Sequence, residues 1–206
     1  DELIDLVSLV GTADDVRECL RMGRISPSDI DHVAISRDPR AHLVDKLLHV
    51  GQRLVYSRDV SRLWLQLRDR LDNRRKVSSV EQSLMVALGT DSLRATLHHV
   101  EHHRAHLASA FFASPFSDAA VLSLDGFGDF VSTMWGVGHD RHIEVLGEVG
   151  FPHSLGALYT AVTQWLGFPK YGDEGKVMGL AAYGDAKAVP ALRRLIDLRS
   201  DGTFGL

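Results

Sequence analysis

A single cysteine, Cys19, is the whole thiol content of the sequence. It excludes an internal disulfide framework and fits a reducing, cytoplasmic setting. No apolar run approaches membrane-spanning length and no signal peptide is visible, so no membrane partner is expected. Positive charge is not in excess either: the formal net charge is -4, which argues against nucleic acid as the partner of the whole chain. Internal repeats and low-complexity tracts are missing. The sequence begins at Asp1 without a methionine, as expected of a piece of a longer protein. What is present is enough apolar residue, 45%, for a substantial core and for one domain or one and a half.

The stretch with most chemistry runs from His98 to Gly128. His102 and His106 are four apart, so on a helix starting near His103 they share one face and can grip one cation. The pairs His98/His102 and His99/His103 have the same spacing, so spacing does not choose among them, and a half-exposed polar helix face satisfies it as well. Ala105, Ala108, Ser109 and Ala110 are small enough to let a backbone or ligand come close. The run 119–126, AAVLSLDG, reads as a central strand ending in Asp125. An ionised carboxylate at the edge of a core needs hydrogen bonds or a metal. The following G-F-G-D predicts a tight turn with exposed N–H groups, or an ordinary Asp-Gly hairpin.

Elsewhere the pattern is structural. Residues 13–22 read as a helix capped by Thr12 and stopped by Gly23, with Val16 and Leu20 inward and Cys19 a packed thiol. S-P-S-D turns into a strand in which Val33 and Ile35 alternate. From about 41 to 88 the pattern is helical. Leu43, Leu47, Leu48 and Val50 mark one amphipathic helix and Leu63, Leu67 and Leu71 another, with Asp59 as a cap between them. A third helix begins near Ser79, where S-V-E-Q has capping-box spacing. Basic side chains dominate residues 53–76, as on a solvated helical face, or on one that attracts an anionic partner or the rest of a larger enzyme.

Beyond the histidines, FVSTMWGVG and HIEVLGEVG continue the 119–125 strand into a three-stranded antiparallel meander, with G-H-D-R as the second turn. Ser154 caps the clearest helix, which Gly167 stops. Leu155, Leu158, Tyr159, Val162, Trp165 and Leu166 form its expected buried stripe, while the N-H groups at Ser154 and Gly156 suit an anion. KYGDEGKVMGLAAYGD is dense in glycine. It suits either close backbone approach to a ligand, with Lys176 able to neutralise phosphate, or a flexible connector. Val189, Leu192, Leu195 and Ile196 predict a last amphipathic helix.

HHRAHLASAFFASPF, AVLSLDGFGD, HSLGALYTAVTQWLGF and EGKVMGLAAYG resemble successive blocks of the NodU/CmcH-type O-carbamoyltransferases, and VRECLRMGRISPSDIDHVAISRDP fits the segment upstream. The resemblance implies an α/β chain with an incomplete actin-like, Hsp70-like nucleotide-binding fold. Residues 1–40 would finish a first α/β subdomain, 41–90 would be a helical insertion, and 91–206 would carry the metal- and nucleotide-binding core. It also implies that His102, His106 and Asp125 are metal ligands, His102 and His106 being chosen because Ala105 precedes the second histidine. His103 is then the non-ligand neighbour. Contacts to nucleotide or carbamoyl adenylate are expected from Asp125, Gly126, Gly128, Ser154, Gly156 and Lys176.

The implied chemistry has two steps. Carbamoyl phosphate and ATP give carbamoyl adenylate in a downstream domain of the same protein. The lobe represented here holds that intermediate, with a divalent cation, against a small-molecule hydroxyl acceptor. Two imidazoles and a carboxylate suit Fe(II), favoured by the resemblance, and also Mn(II) or Zn(II). The catalytic base and a fourth ligand are expected outside these residues, so the piece alone is expected to be inactive. Two other readings stand beside this one: a tRNA threonylcarbamoyl transferase-like enzyme, and a non-catalytic nucleotide-binding module.

Overall fold

The computed structural model describes residues 13–56, 80–92, 94–170 and 172–206 of a mixed α/β chain. It divides into two compact units, Asp1–His102 and His103–Leu206. Among the described residues no helix is long and apolar enough to cross a membrane.

In the first unit, α1 (Ala13–Gly23) opens with Asp14 and Asp15 and has Arg21 in its last turn, charges that complement the helix dipole. Leu20 is buried and Val16 half-buried, as the periodicity requires. The Arg17 guanidinium donates to the Ala87 carbonyl at 2.9 Å, tying α1 to a later helix, α3 (Val80–Leu88). Strand β1 (His32–Ile35) buries Val33 and Ile35 by alternation. It pairs in parallel with β2 (Thr96–His99). Leu20, Ile30, Val33, Ile35 and Leu84 form the core of this unit.

Three expectations change here. Cys19 is exposed rather than packed, because it precedes the buried Leu20 by one residue and so points about 100° away from it. Helix α2 (Leu43–Tyr56) forms, but Leu47 and Leu48 are exposed. His98 and His99 lie on β2, not on a helix, which removes the two competing histidine pairs. Thr12, Asp59, the stripe from Leu63 to Leu71 and the cap at Ser79 lie outside the described residues.

The second unit is built on an antiparallel sheet ordered β3-β4-β5, from β3 (Asp118–Gly128), β4 (Val131–His139) and β5 (His142–Gly150). The meander is as expected, but β3 is an edge strand rather than a central one, and its Leu122 and Leu124 are exposed. Helix α4 (His102–Phe112) packs Leu107 and Phe111 against Val121, Val131 and Met134. Burying each of those two side chains is worth about 1.5–3 kcal/mol. Gly138 is the place where a β-carbon would strike the Phe111 ring at 2.6 Å, so the sheet leaves room there for the helix.

Helix α5 (Leu155–Trp165) follows β5, and α6 (Glu174–Ala181) follows α5. The stripe expected on α5 is only partly realised. Leu155, Leu158 and Val162 are half-buried, Tyr159 and Leu166 are exposed, and Trp165 is 83% exposed. The side chain the helix buries fully is Thr163. The glycine-dense segment is in part helical: Gly175 and Gly179 lie within α6, and Gly172 and Gly184 lie outside it, on either side. The last amphipathic helix is broken into α7 (Val189–Leu192) and a 3-10 turn, with Val189, Leu192 and Leu195 exposed. The chain ends in a small antiparallel pair, β6 (Asp197–Leu198) and β7 (Phe204–Gly205).

Candidate metal centre

Helix α4 begins at His102 and carries His106 one turn later. The boundary between the two units falls after that first residue, so the helix itself places His102. The side chains buried on α4 are His103, Leu107 and Phe111, spaced by four. His102 and His106 each precede a member of that stripe by one residue, and therefore line up along its flank.

Asp125 comes from β3. Between the pairs Leu124↔Thr133 and Gly128↔Val131, β3 advances four residues while β4 advances two, a bulge that spans Asp125, Gly126 and Phe127. Extra residues of this kind bend a strand and re-aim its side chains. Here one carboxylate oxygen, Oδ1, accepts the Gly126 N–H at 2.6 Å. The other, Oδ2, lies 3.6 Å from His106 Nε2. One donor atom each from His102, His106 and Asp125 falls within 4.8 Å of the others. It is the one group of three such side chains among the described residues with this proximity. Two imidazole nitrogens and a carboxylate oxygen are a donor set that borderline divalent metals accept.

The hairpin itself differs from expectation. The turn begins only at the last residue of G-F-G-D, because the bulge lets β3 continue to Gly128. The turn residues are Asp129 and Phe130, with φ of 49° and 84°. Two left-handed residues in a two-residue loop match the twist of the strands they join.

The bulge is held from behind by the start of α5. The Ser154 hydroxyl accepts the Ala157 N–H at 3.0 Å, which makes it the cap expected from sequence. The same hydroxyl donates to the Gly126 carbonyl at 2.6 Å and lies 3.1 Å from that of Asp125. Ser154 is fully buried, so its partners are inside the protein. A β-carbon on Gly156 would sit 2.5 Å from the Asp125 carbonyl oxygen and 2.6 Å from the Gly126 nitrogen. S-L-G therefore places a capped helix N-terminus directly on the Asp125–Gly126 peptide. A β-carbon on Gly126 would meet nothing within 4 Å, and Gly128 pairs with Val131 beside the turn.

Lys176 is drawn elsewhere. Its ammonium lies 2.6 Å from the buried Asp173. That hydrogen bond, with one from the Lys170 N–H, holds the Asp173 carboxyl below the usual range. Next to it, Glu174 accepts the Thr160 hydroxyl at 2.7 Å, joining α6 to α5 and lowering the Glu174 pKa.

One residue of this region had no role beyond a neighbour's in the sequence. His103 is fully buried, with Nδ1 2.8 Å from Ser123 Oγ and Nε2 2.9 Å from the Val131 carbonyl. The signal available was its spacing from Leu107 and Phe111, which marks it as a member of the buried stripe.

Among curated proteins, an uncharacterized protein of Synechocystis is 50% identical over 107 residues, 52% of this chain and 17% of that protein. The nodulation protein NolNO of Sinorhizobium fredii is 40% identical over 97 residues, 47% of this chain and 14% of its own length. The nodulation protein NolO of Bradyrhizobium diazoefficiens is 44% identical over 88 residues, 42% of this chain and 16% of its own. The aligned stretches thus cover less than a fifth of these relatives. A far wider match comes from one protein family, described as carbamoyltransferase N-terminus, which matches residues 8–206. With nearly its whole length matched, the chain belongs to the carbamoyltransferase N-terminus family.

Proposed function

We propose that this chain is the metal- and nucleotide-holding lobe of an ATP-dependent O-carbamoyltransferase, with an actin-like, Hsp70-like nucleotide-binding fold. The observation that carries the reading is the convergence of His102, His106 and Asp125 in a member of this family. Carbamoyl phosphate and ATP would give carbamoyl adenylate in a further domain of the protein, and the acceptor would be a hydroxyl of an antibiotic or sugar-like small molecule. Bound by the three side chains, Fe(II), Mn(II) or Zn(II) would supply positive charge to phosphate oxygens and order them beside the attacking hydroxyl.

The chain's own residues divide the rest of the work. His102 and His106 present imidazole nitrogens from one helix turn, and Asp125 presents Oδ2 while the Gly126 N–H fixes Oδ1. Ser154 and Gly156 hold the Asp125–Gly126 peptide from behind. That leaves the open side of Gly126 and the turn at Gly128 for close approach of a phosphate. Lys176, exposed and paired with Asp173, would supply a further cation for the nucleotide or carbamoyl oxygens if it exchanged that partner for the ligand.

The test is a comparison of wild-type and His106→Ala full-length protein, measuring bound metal by elemental analysis and carbamoyl-phosphate-dependent turnover of ATP. We expect metal content and turnover to fall together, since removing one ligand opens the coordination set. A His106→Ala protein with wild-type metal content and turnover would sink the reading.

A further inference from the structure

The core of the seam between α4 and the sheet is apolar. Leu107 and Phe111 pack on Val121, Val131 and Met134, contacts that attract without direction. Such contacts by themselves tolerate small slides and rolls of a helix over a sheet. His103 belongs to the same buried stripe but is polar, and its ring reaches two strands at once. A carbonyl only accepts, so Nε2 carries a hydrogen and donates it to Val131. Nδ1 shares a second hydrogen bond with the Ser123 hydroxyl at 2.8 Å. These are directional bonds, and together they fix both the height and the rotation of α4 on the sheet.

Where the two ends of this brace lie gives it a purpose. His103 sits between His102 and His106 on α4, and Ser123 lies two residues before Asp125 on β3. The ring therefore joins the helix carrying both imidazoles to the strand carrying the carboxylate. An aliphatic side chain at position 103 would extend the apolar seam, but it would take a partner from the buried Ser123 hydroxyl and from the Val131 carbonyl, so some loss of stability accompanies any loss of positioning. Metal ligation is less forgiving, because donors must reach a common point at about 2.0–2.2 Å.

We infer that His103, with Ser123 as its partner, is a positioning residue that fixes α4 against β3 so that His102, His106 and Asp125 present their donor atoms to one cation. The inference deepens the reading of those three side chains as ligands and rests on it.

The test uses full-length protein and three variants, Ser123→Ala, His103→Leu and His106→Ala. Zn(II) affinity is read by competition with a chromophoric chelator, site geometry by the electron paramagnetic resonance spectrum of bound Mn(II), and folding by thermal melting. We expect Ser123→Ala and His103→Leu to keep a cooperative melting transition above the assay temperature. Both should bind Zn(II) about tenfold or more weakly than wild type and show an altered Mn(II) spectrum. Wild-type Zn(II) affinity and an unchanged spectrum in both variants would overturn the inference. So would a loss confined to His103→Leu and matched by its unfolding, since His103 would then be a core residue only. Unchanged Zn(II) affinity in His106→Ala would instead overturn the ligand assignment, and this inference with it.

Discussion

Gly156 stands so close to Asp125 that a β-carbon at position 156 would lie 2.5 Å from the Asp125 carbonyl oxygen. The atoms it would strike are backbone, which cannot swing aside as the tip of a flexible side chain would. Helix α5 and the bulge of β3 are therefore in direct backbone contact, and a residue with no side chain is what permits it.

Gly156→Ala should push the start of α5 away from the bulge and move Asp125. Overpacking of this kind costs about 1–3 kcal/mol, outweighing the gain of up to about 1 kcal/mol in helix propensity. Chemical denaturation should show the lower stability, and elemental analysis a lower metal content. A variant as stable as wild type would show that the two backbones can part freely.

Ser154→Ala removes a helix cap and, in the same step, the donor to the Gly126 carbonyl. Losing the cap costs about 1 kcal/mol, and the carbonyl left without its partner adds to that. Equilibrium unfolding should give a loss of about 1–3 kcal/mol, and a change within error of zero would contradict the double role of this hydroxyl. Threonine at the same position keeps the oxygen and should recover part of the loss.

At the far end of the β3–β4 ladder, Asp118 and His139 are directly paired in register and hydrogen-bonded through their side chains. The bond from Asp118, helped by the charge of Asp140, raises the His139 pKa above 6.5. The same bond lowers the Asp118 pKa below 3.8. The histidine's share of stability is complete below 6.5 and disappears as pH rises through its raised value. The aspartate's share is complete above 3.8 and disappears as pH falls through its lowered value. The pair thus works best between those limits, and modestly, since both side chains are well exposed. Nuclear magnetic resonance titration should find His139 above 6.5 in wild type and shifted downward in Asp118→Asn. Identical titrations in the two proteins would rule out the pairing.

Trp165 was expected in the core and is 83% exposed. Trp165→Ala should therefore change the stability of this chain by no more than about 0.5 kcal/mol, against the 3–5 kcal/mol typical of a truly buried tryptophan. Denaturation midpoints of the two proteins decide the matter.

Much of the candidate site was legible in the residues. H-x-x-x-H gives two imidazoles on one helical flank because the α-helix repeats every 3.6 residues, whatever surrounds it. Ser154 could be read as a cap because a cap is a contact three residues long. The competing pairs with His98 and His99 could not be dismissed, since β2 exists only by pairing with β1, some sixty residues earlier. Apolar runs also misled. The strand 119–125 looked central and lies at an edge, and the stripe of α5 looked buried and is half exposed. Hydrophobicity states what a side chain prefers, not how much protein is at hand to cover it.

The sequence by itself determined helices α1 and α5, where α5 is capped, and that two histidines share a helical flank, because these follow from interactions between residues a few positions apart. Tertiary structure alone decided that β3 bulges at Asp125, that Gly156 must lack a side chain, and that His103 turns inward to bind both Ser123 and Val131. The last two depend on backbone or hydroxyl groups brought from twenty or more residues away. No local pattern encodes that meeting, because it exists only once helix and sheet have packed.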